Sequence, residues 1–131
     1  MKKVVIAGSV SLKNKSQNWK KIWGEKGFQV TNYPQPIPKA NFLAEYPNVH
    51  KKFFQDIVES DVLFIMNEDK NGVVGYIGAE TFAELCFGVS QNLINNKNIE
   101  IILCKMPETR VQSYDEIALW LKLGWIKVLT Y

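Results

Sequence analysis

The sequence predicts a doubly wound α/β fold in which five parallel strands form one sheet, in the flavodoxin-like (Rossmann-like) order 2-1-3-4-5. Short apolar segments alternate with segments of helical periodicity, and the apolar segments are hydrophobic at nearly every position, as in strands buried on both faces. Right-handed connections between successive strands fit this order. With 131 residues, 47% hydrophobic, the chain is expected to form a single domain, residues 1–131, around one core.

The first strand and helix occupy the N-terminal part of the chain. A β-branched run at residues 2–8 ends in Gly-Ser, the pattern of a buried strand that closes in a tight loop. A helix is predicted at residues 16–26, because Trp19 and Trp23 lie one turn apart and Gly27 follows as a C′ glycine. We expect the two tryptophans to pack this helix on the sheet.

A proline-rich segment separates the second strand from the next helix. Strand two is predicted at residues 28–32, and residues 33–47 contain four of the five prolines, which argue against a helix or a central strand there. Asn48 is expected to cap a helix that ends at Ser60, and residues 61–67 form a third, almost entirely apolar strand. The proline-rich segment is therefore predicted to be a loop.

The C-terminal half continues the alternation. Ser113 and Glu116 have the spacing of a capping box, which predicts the start of the last helix. The predicted elements are a polar loop at residues 68–75, a helix from there to about Asn92, a strand at residues 99–105, a helix that ends at Leu123 and a strand at residues 126–131.

Composition excludes several classes of protein. The net charge is +3, but the lysines occur in scattered pairs, which is typical of a solvated surface and not of a nucleic-acid-binding face. No apolar run reaches the roughly 20 residues of a membrane span, and the N-terminal apolar run is too short for a secretory signal, so we expect a cytoplasmic protein. Cys86 and Cys104 lack metal-site spacing and are expected to be buried free thiols. Neither a metal nor another cofactor is predicted.

The predicted topology places a ligand site at the carboxyl ends of strands one and three. Ligands of such sheets bind where the strand order reverses. Gly8, Ser9 and Ser11 follow strand one and can present N–H groups and hydroxyls to a phosphate or a sugar. Asn67 ends strand three, and Tyr33 follows strand two beside the same edge. We expect the loop that begins at Tyr33 to act as a lid over the bound ligand.

Two glutamates one helical turn apart follow this edge. Glu80 and Glu84 lie opposite the apolar stripe formed by positions 82, 86, 89 and 93, so periodicity favours a surface location. Their position at the predicted cleft favours a pocket instead. In a closed cleft two neighbouring carboxylates repel each other, one pKa rises, and such pairs serve glycosyl transfer. Both interpretations remain open at the level of the sequence.

Three segments resemble the nucleoside 2-deoxyribosyltransferases and the related 2′-deoxynucleoside 5′-monophosphate N-glycosidases. They are "VVIAGSV" at strand one, "ESDVLFIMN" through strand three and "AELCFGVSQNL" in the following helix. The last is similar to the family's Glu-Leu-Gly-x-Ala run. Together the segments cover about a fifth of the chain, in the same order as in the family.

The resemblance implies both an activity and a set of site residues. It makes Glu84 the nucleophile that attacks C1′ and releases the base, Gly8 and Ser9 part of the wall around the sugar or its 5′ group, and Asp61 a supporting polar residue. It also implies a nucleoside or nucleotide substrate, no cofactor, and a homo-oligomer. Hydrolysis and transfer to a second base are both compatible with it.

The chain departs from the family at two places. The family has an aspartate just before the helix, but no aspartate lies between Asn71 and Glu80, so Glu80 or Asp69 would have to replace it. Cys86 stands where the family has glycine. A non-catalytic nucleotide-binding or sensing module is therefore the alternative function. The single histidine, His50, has no predicted partner and is expected to be an exposed helix residue.

Overall fold

Five parallel strands form the central sheet of the computed structural model, which describes residues 1–130 of the chain. They are β1 (Lys3–Ala7), β2 (Gln29–Asn32), β3 (Val62–Ile65), β4 (Glu100–Leu103) and β5 (Lys127–Val128). The order is β2-β1-β3-β4-β5, and every neighbouring pair is parallel, which confirms the predicted fold class and strand order. Tyr131, which the sequence assigns to the last strand, lies outside the described residues.

Within residues 1–130, four α-helices cover the two faces of the sheet unequally. They are α1 (Lys13–Glu25), α2 (Phe42–Val58), α3 (Ala79–Asn95) and α4 (Tyr114–Lys122). Alternate strand residues point to opposite faces. One set packs with α1, whereas the other packs with α2, α3 and α4. Right-handed connections require this arrangement, because only the β1–β2 connection runs toward the β2 edge of the sheet.

Two tryptophans attach α1 to its face of the sheet, as predicted. Trp19 and Trp23 are 5% and 4% exposed, and the ring of Trp19 lies 4.5 Å from that of Phe64 on β3. The indole N–H of Trp19 donates a hydrogen bond to Glu68, just after β3, at 2.8 Å. The contact fixes α1 against the loop that leads toward α3.

The start of α2 differs from the prediction. The helix begins at Phe42 after a short 3₁₀ turn (Lys39–Asn41), so Asn48 is not its cap and Pro47 lies inside it. A proline in the second turn removes one N–H and crowds one carbonyl, which the remaining helix tolerates. Rings at i, i+4 spacing stack along this helix and stabilise its first turns: Phe42, Tyr46, His50 and Phe54.

The buried face of α3 also differs from the helical-wheel prediction. The buried residues are Thr81, Glu84, Leu85, Gly88 and Val89, whereas Leu93, expected in the core, is 52% exposed. Gly88 explains the rotation. A Cβ there would lie 2.7 Å from Cδ2 of Leu63, so the absent side chain allows α3 to approach the sheet closely on this side. Glu84 is thereby turned inward.

The last helix begins where predicted but without the predicted cap. α4 follows Ser113, yet the Ser113 hydroxyl is buried and has no hydrogen-bond partner within residues 1–130, so the capping box is not formed. Ile117 anchors the helix in the core, fully buried. Within the described residues, no helix is both long and apolar enough to cross a membrane.

Candidate active site

The site lies at the carboxyl edge of the sheet, where the chain order reverses between β1 and β3. Gly8 follows β1 and lies against Met66, which follows β3. A Cβ at position 8 would be 2.9 Å from Cε and 3.0 Å from the carbonyl oxygen of Met66. Glycine is therefore required for the close approach of the two strand ends. The N-terminus of α3 and the first half of α2 border the same edge, because both helices run antiparallel to the strands.

Glu84 is the central residue of this edge. Its side chain is only 5% exposed in a protein whose other glutamates are half-buried or exposed, and no described residue donates a hydrogen bond to its carboxyl group. Burial, with a smaller contribution from the charge of Glu80, raises the pKa of Glu84 to about 8. Of the two glutamates, Glu80 is exposed, as the helical periodicity predicts, whereas Glu84 is buried.

Residues of α2 complete the surroundings of Glu84. One ring nitrogen of His50 and one carboxyl oxygen from each of Glu80 and Glu84 lie within 4.8 Å of one another. His50 is half-buried, so the expectation of an exposed histidine without a partner is wrong. Burial raises the pKa of the Tyr46 phenol, and the charges of Glu80 and Glu84 raise it further. An imidazole and a phenol thus face the two carboxyl groups across the α2–α3 contact.

A second polar cluster follows β1. The Lys70 ammonium group donates a hydrogen bond to the Ser9 hydroxyl at 2.8 Å, and the hydroxyls of Ser9 and Ser11 are 2.9 Å apart. Lys70 also lies 5.1 Å from the centre of the Tyr76 ring, two residues before the Gly78 cap of α3. The serines were predicted as site residues, whereas Lys70 was not, because its contact with Ser9 spans 61 residues of sequence.

Asp69 is held by hydrogen bonds within the loops and does not join Glu84. Its carboxylate accepts hydrogen bonds from the Gly75 N–H at 3.0 Å and from the Lys105 ammonium group at 3.1 Å. The Gly75 bond first, and the Lys105 bond next, lower the pKa of Asp69. Asp69 is not part of the His50–Glu80–Glu84 group. The structure therefore does not bring this predicted catalytic residue to Glu84.

Asn67 is also engaged within the protein. Fully buried, its amide donates to the carbonyls of Lys105 at 2.7 Å and Gly75 at 3.3 Å, and its side-chain oxygen accepts from the Lys105 N–H at 3.3 Å. These bonds join the loops that follow β3 and β4. Asn67 holds the rim of the site and has no free amide hydrogen for a substrate.

The structure does not bring Asp61 and Tyr33 together with Glu84. Asp61 precedes β3 and accepts a hydrogen bond from the Lys3 N–H at 2.8 Å, so it lies at the amino edge of the sheet, opposite the site. Tyr33 follows β2 and packs with the core on the α1 side, where the Lys20 ammonium group lies 3.8 Å from its ring centre. Asp61 is therefore misplaced for the role predicted from the resemblance, and Tyr33 is held by contacts of its own.

Comparison with known proteins adds no assignment, since no protein-family model and no curated protein matches the chain. The chemical groups of the site are therefore the basis for inferring its chemistry. It consists of a buried carboxyl group, an imidazole and a second carboxyl group beside it, and a lysine–serine cluster at the end of β1. This combination can supply a nucleophile, a proton and an anion-binding group.

Proposed function

We propose that the protein cleaves the N-glycosidic bond of a 2′-deoxyribonucleoside or its 5′-monophosphate, with Glu84 as the nucleophile. The observation that carries this proposal is the buried Glu84 carboxyl group, which has no hydrogen-bond partner among the described residues and borders the edge where ligands of this fold bind. A buried acid without a structural partner lowers stability, so a role in chemistry accounts for its presence.

The proposed reaction has two steps. An oxygen of the ionised Glu84 attacks C1′, the bond from C1′ to the base nitrogen breaks, and the base leaves with the electron pair and takes a proton from a neighbouring acid. His50 and Glu80 are near enough to Glu84 to supply that proton. Water, or a second base in a transferase, then attacks C1′ and releases the carboxylate. Two displacements at C1′ leave its configuration unchanged.

The pKa of Glu84 sets the active form. With a pKa of about 8, roughly one tenth of the free protein has an ionised Glu84 at neutral pH. Positive charge that develops on the sugar during bond cleavage favours the ionised form in the transition state. The initial rate should therefore rise with pH toward that pKa.

The lysine–serine cluster supports a substrate that carries a 5′-phosphate. Lys70 supplies one positive charge; of the hydroxyl hydrogens of Ser9 and Ser11, one is used in the bond between them and the other can be donated to a ligand. Gly8 leaves the backbone there free of a side chain. The cluster lies at the end of β1, at the topological switch point where phosphates bind in this fold.

An assay of base release tests the proposal. The pure protein is incubated with a panel of 2′-deoxyribonucleosides and their 5′-monophosphates, and free base is measured by chromatography. We expect release from at least one substrate, a loss of more than about a thousandfold in Glu84→Gln, and near-normal release in Glu45→Gln, an exposed glutamate of α2. Full activity in Glu84→Gln would refute the assignment of the nucleophile.

A non-catalytic nucleotide-binding or sensing module is the second candidate. The observation that favours it is the absence of an aspartate between Asn71 and Glu80, together with the engagement of Asp69 in the loop. Such a protein would gain thermal stability with a nucleotide, since a ligand that binds only the native state stabilises it. Stabilisation without base release from any substrate of the panel would select this function.

Self-association is part of the proposal. The resemblance implies a homo-oligomer, and an apolar groove of about 580 Å³ beside the site, between α2 and α3, is compatible with a subunit contact. Tyr46 and His50 line both this groove and the site. Light scattering of the protein after gel filtration measures its mass directly, and a monomer at every concentration would contradict this part of the proposal.

A further inference from the structure

We propose that His50, Glu80 and Glu84 form a binding site for a divalent transition-metal ion, with zinc as the best fit. One imidazole nitrogen and one oxygen from each carboxyl group lie within 4.8 Å of one another, across the contact between α2 and α3. A second observation points to a ligand. Glu84 as a residue is only 5% exposed, and no described residue is hydrogen bonded to its carboxyl group.

The geometry needs only small adjustments to close around an ion. Zinc is bound at about 2.0–2.2 Å by nitrogen and oxygen ligands, which places tetrahedral ligands about 3.4 Å apart. The three ligand atoms lie at most 4.8 Å apart. They reach the spacing of zinc ligands if side-chain rotations displace each of them by about 1 Å. Glu80 and Glu84 are one turn apart on α3, so both carboxyl groups can approach His50 without a backbone movement.

The identity of the ligands selects the class of metal. Imidazole suits zinc, copper, nickel and cobalt, whereas magnesium and calcium prefer sites made of oxygen atoms alone. Three protein ligands leave a fourth position open for water or another small ligand, as in zinc sites that are not purely structural. The thiols are not involved, since Cys86 and Cys104 are not members of the cluster.

This inference does not rest on the proposed function, although both use Glu84. A zinc ion bound to the Glu84 oxygen withdraws the lone pair that would attack C1′. We therefore expect zinc to inhibit base release in a protein that also catalyses it. In a protein that lacks the activity, zinc would still bind, so failure of one proposal leaves the other testable.

Calorimetric titration of the full chain tests the site. After removal of metal with a chelator, Zn²⁺ should bind with one ion per chain, and Mg²⁺ should not. His50→Ala and Glu80→Gln should each weaken zinc binding more than about tenfold, whereas Glu45→Gln, a change of the same kind at an exposed position of α2, should leave it unchanged. Circular dichroism of each variant checks that it remains folded, and Glu80→Gln alters only an exposed side chain.

The single histidine gives a direct spectroscopic readout. Since His50 is the only imidazole of the chain, its ring resonances can be followed without assignment of others. One equivalent of Zn²⁺ should shift them, and Co²⁺ should give the visible absorption of a site with four or five ligands. Absence of zinc binding, or binding that is unchanged in both His50→Ala and Glu80→Gln, would overturn the proposal.

Discussion

Glu84 shows how burial changes the chemistry of one side chain. A carboxyl group in water is ionised at neutral pH, but here the loss of solvent and the nearby Glu80 charge raise the pKa to about 8. The native protein therefore holds a proton on Glu84 that the unfolded chain would release. Stability is therefore coupled to this proton, and the proposed reaction would be coupled to it as well.

The first prediction concerns stability against pH. Because the pKa of Glu84 is raised from 4.5 in the unfolded chain to about 8, its protonated form is favoured by folding. Its contribution to stability is fully present below about pH 4.5 and is lost as the pH rises through about 8. Glu84→Gln lacks this titration, so the variant should gain stability relative to the native protein between pH 5 and pH 9, by about 2–4 kcal/mol.

Urea denaturation of both proteins across this pH range measures the difference. Glu45→Gln serves as the control, because Glu45 is exposed and its replacement should not produce this trend. A free-energy difference between Glu84→Gln and the native protein that stays constant with pH would show that Glu84 is ionised in the native state throughout. The assigned environment of Glu84 would then be wrong.

The second prediction concerns recognition of the 5′ group. Lys70→Met removes the charge beside Ser9 and should raise KM for the preferred 5′-monophosphate about tenfold, with little effect on the corresponding nucleoside. Lys97→Met, at an exposed lysine after α3, is the matched control. Steady-state kinetics on the two substrates give the comparison. An equal change for nucleoside and monophosphate would show that Lys70 acts on structure and not on the phosphate.

At the scale of elements, the loops after β3 and β4 hold the rim of the site. Gly75 is central to them, with a φ of 67° and a position where a Cβ would lie 2.7 Å from Cα of Pro107. The neighbouring Val74 exchanges backbone and side-chain hydrogen bonds with Glu108. The Asn67 and Asp69 hydrogen bonds to Gly75 depend on this packing.

The third prediction follows from that contact. Gly75→Ala should destabilise the protein by about 2 kcal/mol or more, because the alanine meets both an unfavourable φ and a rigid backbone atom. Gly27→Ala has a similarly positive φ of 88° but open space around the new Cβ, and should cost about 1 kcal/mol. Denaturant titrations provide both values. Equal losses would mean that the two loops are not tightly packed at Gly75.

Local sequence signals predicted the existence of the helices but not which faces they bury. The helical wheel placed Glu84 on the solvent side, because Gly88 does not count as an apolar residue, although its small size is what brings α3 onto the sheet. Pro47 and its neighbouring prolines predict a loop, whereas the stacking of Tyr46 and His50 supports a helix through Pro47. In the sequence, the i, i+4 spacing of aromatic rings from Phe42 to Phe54 indicates one helix face, and in the structure this face contacts α3.

At the scale of the whole molecule, the topology brings together residues that are distant in the sequence. Ser9, after β1, is hydrogen bonded to Lys70, in the loop after β3. Asn67, also after β3, is hydrogen bonded to Lys105 in the loop after β4. The alternation of apolar and helical segments was sufficient to predict the parallel sheet, its order and the edge at which these loops converge. It could not predict that His50 faces Glu84, because that contact depends on how α2 packs against α3 on one face of the sheet.

The proposed chemistry depends on a covalent bond between the Glu84 side chain and C1′ of the substrate. Acid quenching of the protein within its first turnover, followed by mass spectrometry of its peptides, tests this bond directly. We predict that the peptide containing Glu84 gains the mass of one deoxyribosyl unit, with its 5′-phosphate where present, and that Glu84→Gln gains none. Base release with an adduct on another residue, or with no adduct at any quench time, would contradict the account.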